Sequence, residues 1–279
     1  MADTAATGRG RFRHRLAVVA AGPEALAAGL RDAAAGAADR PPAETPAFEL
    51  TRGAILRRGA AAADRDGGIA FLFTGQGSHE IGMARELYAA EPVARRAIDT
   101  VDAAVAAVLG RSLVEVLHGD DAEALDQLAQ PAILAIEAAL DALWRSWGVR
   151  PARILGHSLG EFAAAVSAGI VELGDAARIV AHRARLVAQA PGPGAMAVIE
   201  GDAAWVGVLI GPVADQVSVA ALNGPSQTVV SGRVGGVAAV IEAAKAAGRR
   251  AHRTPITHAF HSPLMEPILD AFEAEVGRV

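Results

Sequence analysis

The sequence has no cysteine, which excludes disulfides, thiolate metal sites and a cysteine nucleophile, so any thiol in its chemistry has to come from a partner. Aromatic residues are also scarce, at 4% of 279 residues. An interior built under that shortage rests on many small contacts, dominated by alanine, and favours helix by propensity. No apolar run reaches the ~18 to 20 residues that a membrane span needs, and the N-terminus lacks the charged-then-apolar pattern of a secretory signal. The expectation is a cytoplasmic protein with no membrane partner. An excess of positive charge is missing too. With a net charge of −5 and both signs interspersed, the chain lacks the electrostatic footprint of a nucleic-acid or membrane-surface binder. The basic cluster Arg9, Arg11, Arg13, His14, Arg15 and the pair Arg57, Arg58 read as solvated surface.

What is present is enough apolar residue, 52%, for a sizeable core in one large domain with appendages or in two modest ones. Arg15 to Ala21 reads as a buried strand and Pro23 to Ala34 as a helix, together a small βα element. The Pro-, Gly-, Ala- and Arg-rich stretch from Gly36 to Gly68 reads as a surface-running linker, placing a domain boundary near Gly67. The second unit opens with Ile69 to Phe73, a continuous apolar run of the kind found in parallel sheets covered on both faces. It ends in the loop Thr74-Gly75-Gln76-Gly77-Ser78, and helical segments follow through Trp147. A second strand, Arg153 to Leu155, runs into Gly156-His157-Ser158-Leu159-Gly160 and then into a helix from near Glu161. From Ala195 to Ile256 the order strand, helix, strand, strand, helix, strand is ferredoxin-like (βαββαβ), set between the helix carrying Arg183 and the segment carrying His258 and His261.

The chemistry concentrates in that second unit. In G-x-S-x-G, glycines on both sides let the backbone turn sharply enough to lift the Ser158 Oγ to the tip, and strand, turn, helix is the context such a nucleophile needs. The N–H of Leu159, at a helix N-terminus, can serve an oxyanion together with a donor from another loop. A serine hydroxyl needs a base, and of eight histidines the best candidates lie in His258-Ala259-Phe260-His261. Packed structural histidines are the alternative. The Gly75-Gln76-Gly77 loop lacks the G-x-G-x-x-G spacing and the Lys-Ser or Lys-Thr pair of phosphate cradles, so a better use is to bring the Gln76 N–H beside Ser158. Arg183, on the helix after the elbow helix, reads on its own as a solvated arginine.

Taken together, FLFTGQGS (Phe71 to Ser78), GHSLGE (Gly156 to Glu161), the Arg183 segment, ALNGPSQTVVSG (Ala221 to Gly232) and HAFHSPLM (His258 to Met265) resemble the acyltransferase domain of type I modular polyketide synthases. That domain is itself similar to the malonyl-CoA:acyl-carrier-protein transacylases of fatty acid synthesis. The resemblance implies an α/β fold in which a large parallel-sheet, α/β-hydrolase-like subdomain (67–192 and 257–279) carries an inserted ferredoxin-like small subdomain (193–256). It also implies that 1–66 is a ketosynthase–acyltransferase linker-like segment, placing a ketosynthase next to this domain.

Residue by residue, Ser158 resembles the acylated nucleophile, His261 the general base, and Gln76 and Leu159 the backbone oxyanion donors. Arg183 resembles the residue that holds the malonyl carboxylate, with His157, His258, Phe260 and Asn223 as further substrate contacts. HAFH goes with malonyl in the family and YASH with methylmalonyl, Phe260 occupying the space of an α-methyl. The implied partners are a coenzyme A thioester and an acyl carrier protein whose phosphopantetheine supplies the thiol. No bound cofactor or metal is implied. The sequence stops at Val279, where family members continue, so a C-terminally truncated domain with exposed apolar surface is expected. A serine hydrolase shares Ser158 and a late histidine but needs a carboxylate partner and no Arg183, and a catalytically inactive structural fragment of a synthase is the other rival.

Overall fold

The computed structural model describes residues 14–36, 47–51, 54–60, 68–190 and 192–279, so Arg9, Arg11 and Arg13 lie outside the described residues. The chain divides into two compact units, Met1–Gly68 and Ile69–Val279. In the first, β1 (His14–Ala20), α1 (Pro23–Gly36), β2 (Ala47–Thr51) and β3 (Ala54–Ala60) form an antiparallel sheet of order β1-β3-β2, with α1 burying Ala33. The reading of Gly36 to Gly68 as linker is corrected here. β2 and β3 pair as a hairpin with Leu50 opposite Ile55, and β3 is central because β1 pairs along its other edge. A central strand needs partners for its backbone on both sides, which a composition rich in turn formers does not reveal.

The second unit begins with β4 (Ile69–Phe73), followed by α2 (Arg85–Ala90), α3 (Pro92–Leu109), α4 (Leu113–His118), α5 (Ala122–Gln127) and α6 (Ala129–Ser146). β5 (Pro151–Gly156), α7 (Gly160–Ser167) and α8 (Leu173–Ala188) follow. Proline at its first turn and Gly110 in the left-handed region at its C-cap delimit α3, whose Ala94, Ala97, Ile98, Val101, Ala104 and Val105 fall at helical spacing on one buried face. This face meets α6 and α8, where alanines let the helices approach closely. β4 and β5 pair in parallel. Phe71, Phe73 and Ile154 point into the helical core, while Leu72 and Leu155 on the other face are 70% and 65% exposed. The expectation of a sheet covered on both faces is therefore not met among the described residues, whose helices cover one face only.

The inserted unit comprises β6 (Gly194–Glu200), α9 (Ala203–Ile210), β7 (Val217–Gly224), β8 (Gln227–Arg233), α10 (Val234–Ala246) and β9 (Ala251–Arg253). Its antiparallel sheet has the order β7-β8-β6-β9. β9 is shorter than the stretch to Ile256 read from the sequence, since Pro255 has no N–H to give the ladder. Alternation divides the faces. Ala195, Ala197, Ile199 and Val230 pack under α9 and α10 against Val206, Val237 and Val240, whereas Met196, Val198 and Val229 pack against Val187 of α8 and Phe260. The ingoing and outgoing chains are stitched together where they leave the large subdomain: the Gly194 N–H donates to the Thr257 carbonyl at 3.0 Å and the Thr254 N–H to that of Met196 at 2.9 Å. A short 3-10 stretch (Pro263–Ile268) and α11 (Leu269–Val276) complete the described chain, which among its described residues has no helix long and apolar enough to cross a membrane.

Ile199 is fully buried at the centre of the inserted sheet. Replacing it with alanine leaves a cavity among alanines and valines that cannot collapse, and Ile199→Ala should lower the free energy of urea unfolding by about 2–5 kcal/mol.

Candidate active site

The parallel strands β4 and β5 end side by side, and the sequence between them and their helices is built for close backbone approach. The His157 N–H donates to the Phe73 carbonyl at 3.0 Å, and the Gly160, Glu161 and Phe162 N–H groups bond back to residues 157, 158 and 159 as α7 starts. Ser158 sits between them with φ 53°, in the left-handed region that side chains avoid at a cost of roughly 1–2 kcal/mol. The two elbow glycines serve a different purpose from the turn flexibility read in the sequence: neither has positive φ, and both are required for space. A methyl on Gly160 would stand 2.4 Å from the Phe73 oxygen, and one on Gly156 would stand 2.5 Å from the Glu161 backbone. It is the serine itself that carries the strain.

Ser158 Oγ lies 2.8 Å from His261 Nε2, across 103 residues of sequence. With Nε2 unprotonated the hydroxyl donates and the imidazole can take its proton. His261 is also in the left-handed region, at φ 59°. Around it, the Ser218 hydroxyl on β7 donates to its carbonyl at 3.4 Å, Ser262 donates to the Ala259 carbonyl at 2.7 Å, and Gly194 leaves room for Ala259, whose N would otherwise meet a Cβ at 2.4 Å. Burial first, then the electrostatic influence of Arg183 and of His157, push the His261 imidazole below its usual range, with Glu161 opposing. No carboxylate among the described residues hydrogen-bonds the ring.

Gly75 packs against the elbow, its would-be Cβ 3.1 Å from the His157 ring and 3.7 Å from Ser158 Cβ. Next to it the Gln76 N–H, like that of Leu159, finds no protein acceptor among the described residues. One follows Gly75 at the elbow and the other follows Ser158 in the chain, and two free donors near one hydroxyl are what an oxyanion requires. Arg183 on α8 is drawn to the same place. Its Nη1 donates to Gln130 Oε1 on α6, and its guanidinium stacks over the Phe260 ring at 5.3 Å. Burial lowers its pKa to about 10, and no acid among the described residues pairs with it. Two cavities meet at Phe260. One of about 510 Å³ is lined by Arg183, Ser218, His261 and Met265, and the other, of about 480 Å³, by Gln76, His79, Gln130 and His258. Among the described residues no group of His, Asp or Glu could hold a metal ion.

Residues 70–279 match the acyl transferase domain family. The chain belongs to that family. Over 96% of its length it is 41% identical to mycoketide-CoA synthase of Mycobacterium tuberculosis, of which it spans 6%. It is 43% identical to the acyltransferase domain from the second module of the salinomycin polyketide synthase, with a TM-score of 0.79 over 94% of this chain and 58% of that one. A malonyl-transacylase solved in complex with its type II polyketide acyl carrier protein is 34% identical, with a TM-score of 0.69 over 76% of this chain and 70% of that one. The chain thus spans a small part of the curated synthases it matches.

The acyltransferase domain therefore brings Ser158, His261, Arg183, Phe260 and the Gln76 loop together, with His157 exposed beside the histidine and His258 half-buried beside Phe260, where burial lowers its pKa. Asn223, expected at the substrate, is exposed near the end of β7 and lines neither cavity. Gln130 and Ser218 were missed. Gln130 is a buried amide, 5% exposed, on an otherwise apolar helix face, and that mismatch was the available signal. Labelling of Ser158 by a fluorophosphonate should fall on the acid side with a midpoint below the ordinary histidine value of about 6.5. Arg183→Met removes a charge that disfavours the imidazolium, so the midpoint should move up in pH when the labelling rate is measured across pH 4–9.

Proposed function

We propose that this domain moves a malonyl group from coenzyme A to the phosphopantetheine thiol of an acyl carrier protein within a polyketide synthase. His261 takes the proton of Ser158 as its oxygen attacks the thioester carbonyl, and the Gln76 and Leu159 N–H groups receive the oxyanion. The C–S bond then breaks and coenzyme A leaves with the proton from His261. The carrier thiol repeats the sequence in reverse on the Ser158 ester, so no redox step or metal is called for.

The observation that carries the malonyl assignment is Arg183, a buried guanidinium held by a neutral amide instead of an acid. A buried charge left unpaired is costly, and an acyl group ending in a carboxylate would satisfy it bidentately where acetyl could not. Phe260 stacks on the same guanidinium and limits the room for an α-substituent, which favours malonyl over methylmalonyl. The carrier-protein partner is supported by the related transacylase complex. The match to the salinomycin domain extends over 94% of this chain and so takes in part of the first unit, in keeping with a linker to a ketosynthase.

Intact-mass spectrometry after brief exposure to malonyl-CoA should show a malonyl adduct on Ser158, absent from Ser158→Ala. Arg183→Ala should lower malonyl loading about 100-fold, corresponding to about 3 kcal/mol for a charged hydrogen-bonded pair, and gain acetyl loading. Normal malonyl loading by Arg183→Ala would remove the carboxylate-clamp assignment. Phe260→Ala should narrow the preference over methylmalonyl by about 10- to 200-fold in a competition with both thioesters.

A further inference from the structure

One half-buried carboxylate, with one oxygen shielded from solvent, takes no part in this scheme. Glu137, on α6, points at the end of β4, where its Oε1 accepts both the Thr74 N–H at 2.5 Å and the Thr74 hydroxyl at 3.0 Å. Because that hydroxyl is committed as a donor, the Ser78 hydroxyl 3.2 Å away must donate to it. Ser78, Thr74 and Glu137 thus form one directed chain that closes the loop 74–78 upon itself and ties it to α6. Among the described residues Glu137 Oε2 is buried without a partner and no cation accompanies the carboxylate, and burial raises its pKa. Desolvating a carboxylate with no cation beside it costs stability, so its presence needs another reason.

The place of Thr74 in the backbone supplies one. The residue before it, Phe73, accepts the His157 N–H, and its carbonyl lies where a Gly160 methyl would be. The residue after it, Gly75, lies so close to the elbow that an added Cβ would stand 3.1 Å from the His157 ring and 3.7 Å from Ser158 Cβ, and the next N–H is that of Gln76. A shift at Thr74 therefore moves the Gln76 donor relative to Ser158. At the far end of the loop, His79 meets Asp126 at 2.8 Å, but Asp126 is 75% exposed, which makes that tie the weaker one.

We propose that Glu137 is a positioning residue that sets the distance between the oxyanion donor on Gln76 and the Ser158 hydroxyl by gripping Thr74. The inference rests on the reading of Ser158 and Gln76 given above. It needs the acceptor oxygen of Glu137 and not its charge.

The test measures Ser158 modification in the 279-residue chain by two probes, a fluorophosphonate and malonyl-CoA at varied concentration, in wild type, Glu137→Met, Glu137→Gln and Thr74→Val. Glu137→Met should lower the maximal acylation rate roughly 10- to 100-fold, the scale of an ångström's misplacement, and slow fluorophosphonate labelling in parallel. The half-saturating malonyl-CoA concentration should stay within about twofold, since Arg183 and Gln130 are untouched. Glu137→Gln keeps an Oε1 acceptor and should recover most of the rate. A folded Glu137→Met protein that reacts at the wild-type rate overturns the proposal, as does a loss confined to half-saturation or a Glu137→Gln protein as slow as Glu137→Met. If Glu137→Met does not fold, Thr74→Val decides: slower modification supports the grip and an unchanged rate overturns it. Wild type that reacts with the fluorophosphonate but not with malonyl-CoA would remove the malonyl assignment alone, and the fluorophosphonate arm would still judge Glu137.

Discussion

The 2.8 Å contact between Ser158 and His261 organises this molecule, because it joins the end of a parallel strand to the chain that returns from an inserted domain. Both partners hold left-handed backbone angles that an isolated peptide would abandon. What keeps them there is crowding. Gly156 and Gly160 allow the β4 and α7 backbones to close on the serine, and Gly194 allows the β6 strand to close on Ala259. A methyl at any of the three would collide with backbone, which cannot swing aside. The strain is thus shared by backbone of the large subdomain around Ser158 and of the inserted sheet at Gly194.

The arginine follows the same logic in electrostatic form. Most buried guanidiniums are neutralised by an acid, but Arg183 is oriented by the Gln130 amide and the Phe260 ring, which fix its direction without discharging it. Its positive field also reaches His261 and helps to keep the imidazole unprotonated. One residue therefore has two effects on the site, one on what it attracts and one on the base.

Features written locally could be read from the sequence. G-x-S-x-G between a strand and a helix marks Ser158, and the order of strand and helix segments from Ala195 to Ile256 marks the inserted unit, since period and turn chemistry are properties of short segments. Features set by tertiary contact could not. The left-handed serine looks like any serine, the hairpin around Leu50 and Ile55 is diluted by turn-forming neighbours, and Gln130 and Glu137 show their purpose only when Arg183 and Thr74 arrive from elsewhere in the chain. Reading β4 as covered on both faces failed because an apolar run says that side chains avoid water, not which of its two sides will be met. Asn223 was carried over from a motif, and its exposed position follows from lying where β7 runs out toward its turn.

The stitched neck of the inserted unit bears on chain entropy. Where the Gly194 N–H meets the Thr257 carbonyl, two points far apart in sequence are held within one hydrogen bond. For the large subdomain, the whole excursion between them is equivalent to a short loop once the ferredoxin-like sheet has folded and brought its own ends together. Closure cost grows only logarithmically with length, by about 0.6 kcal/mol per doubling, and a prefolded insert escapes even that growth. The large subdomain can thus recruit a distant histidine at nearly the conformational cost of a tight turn.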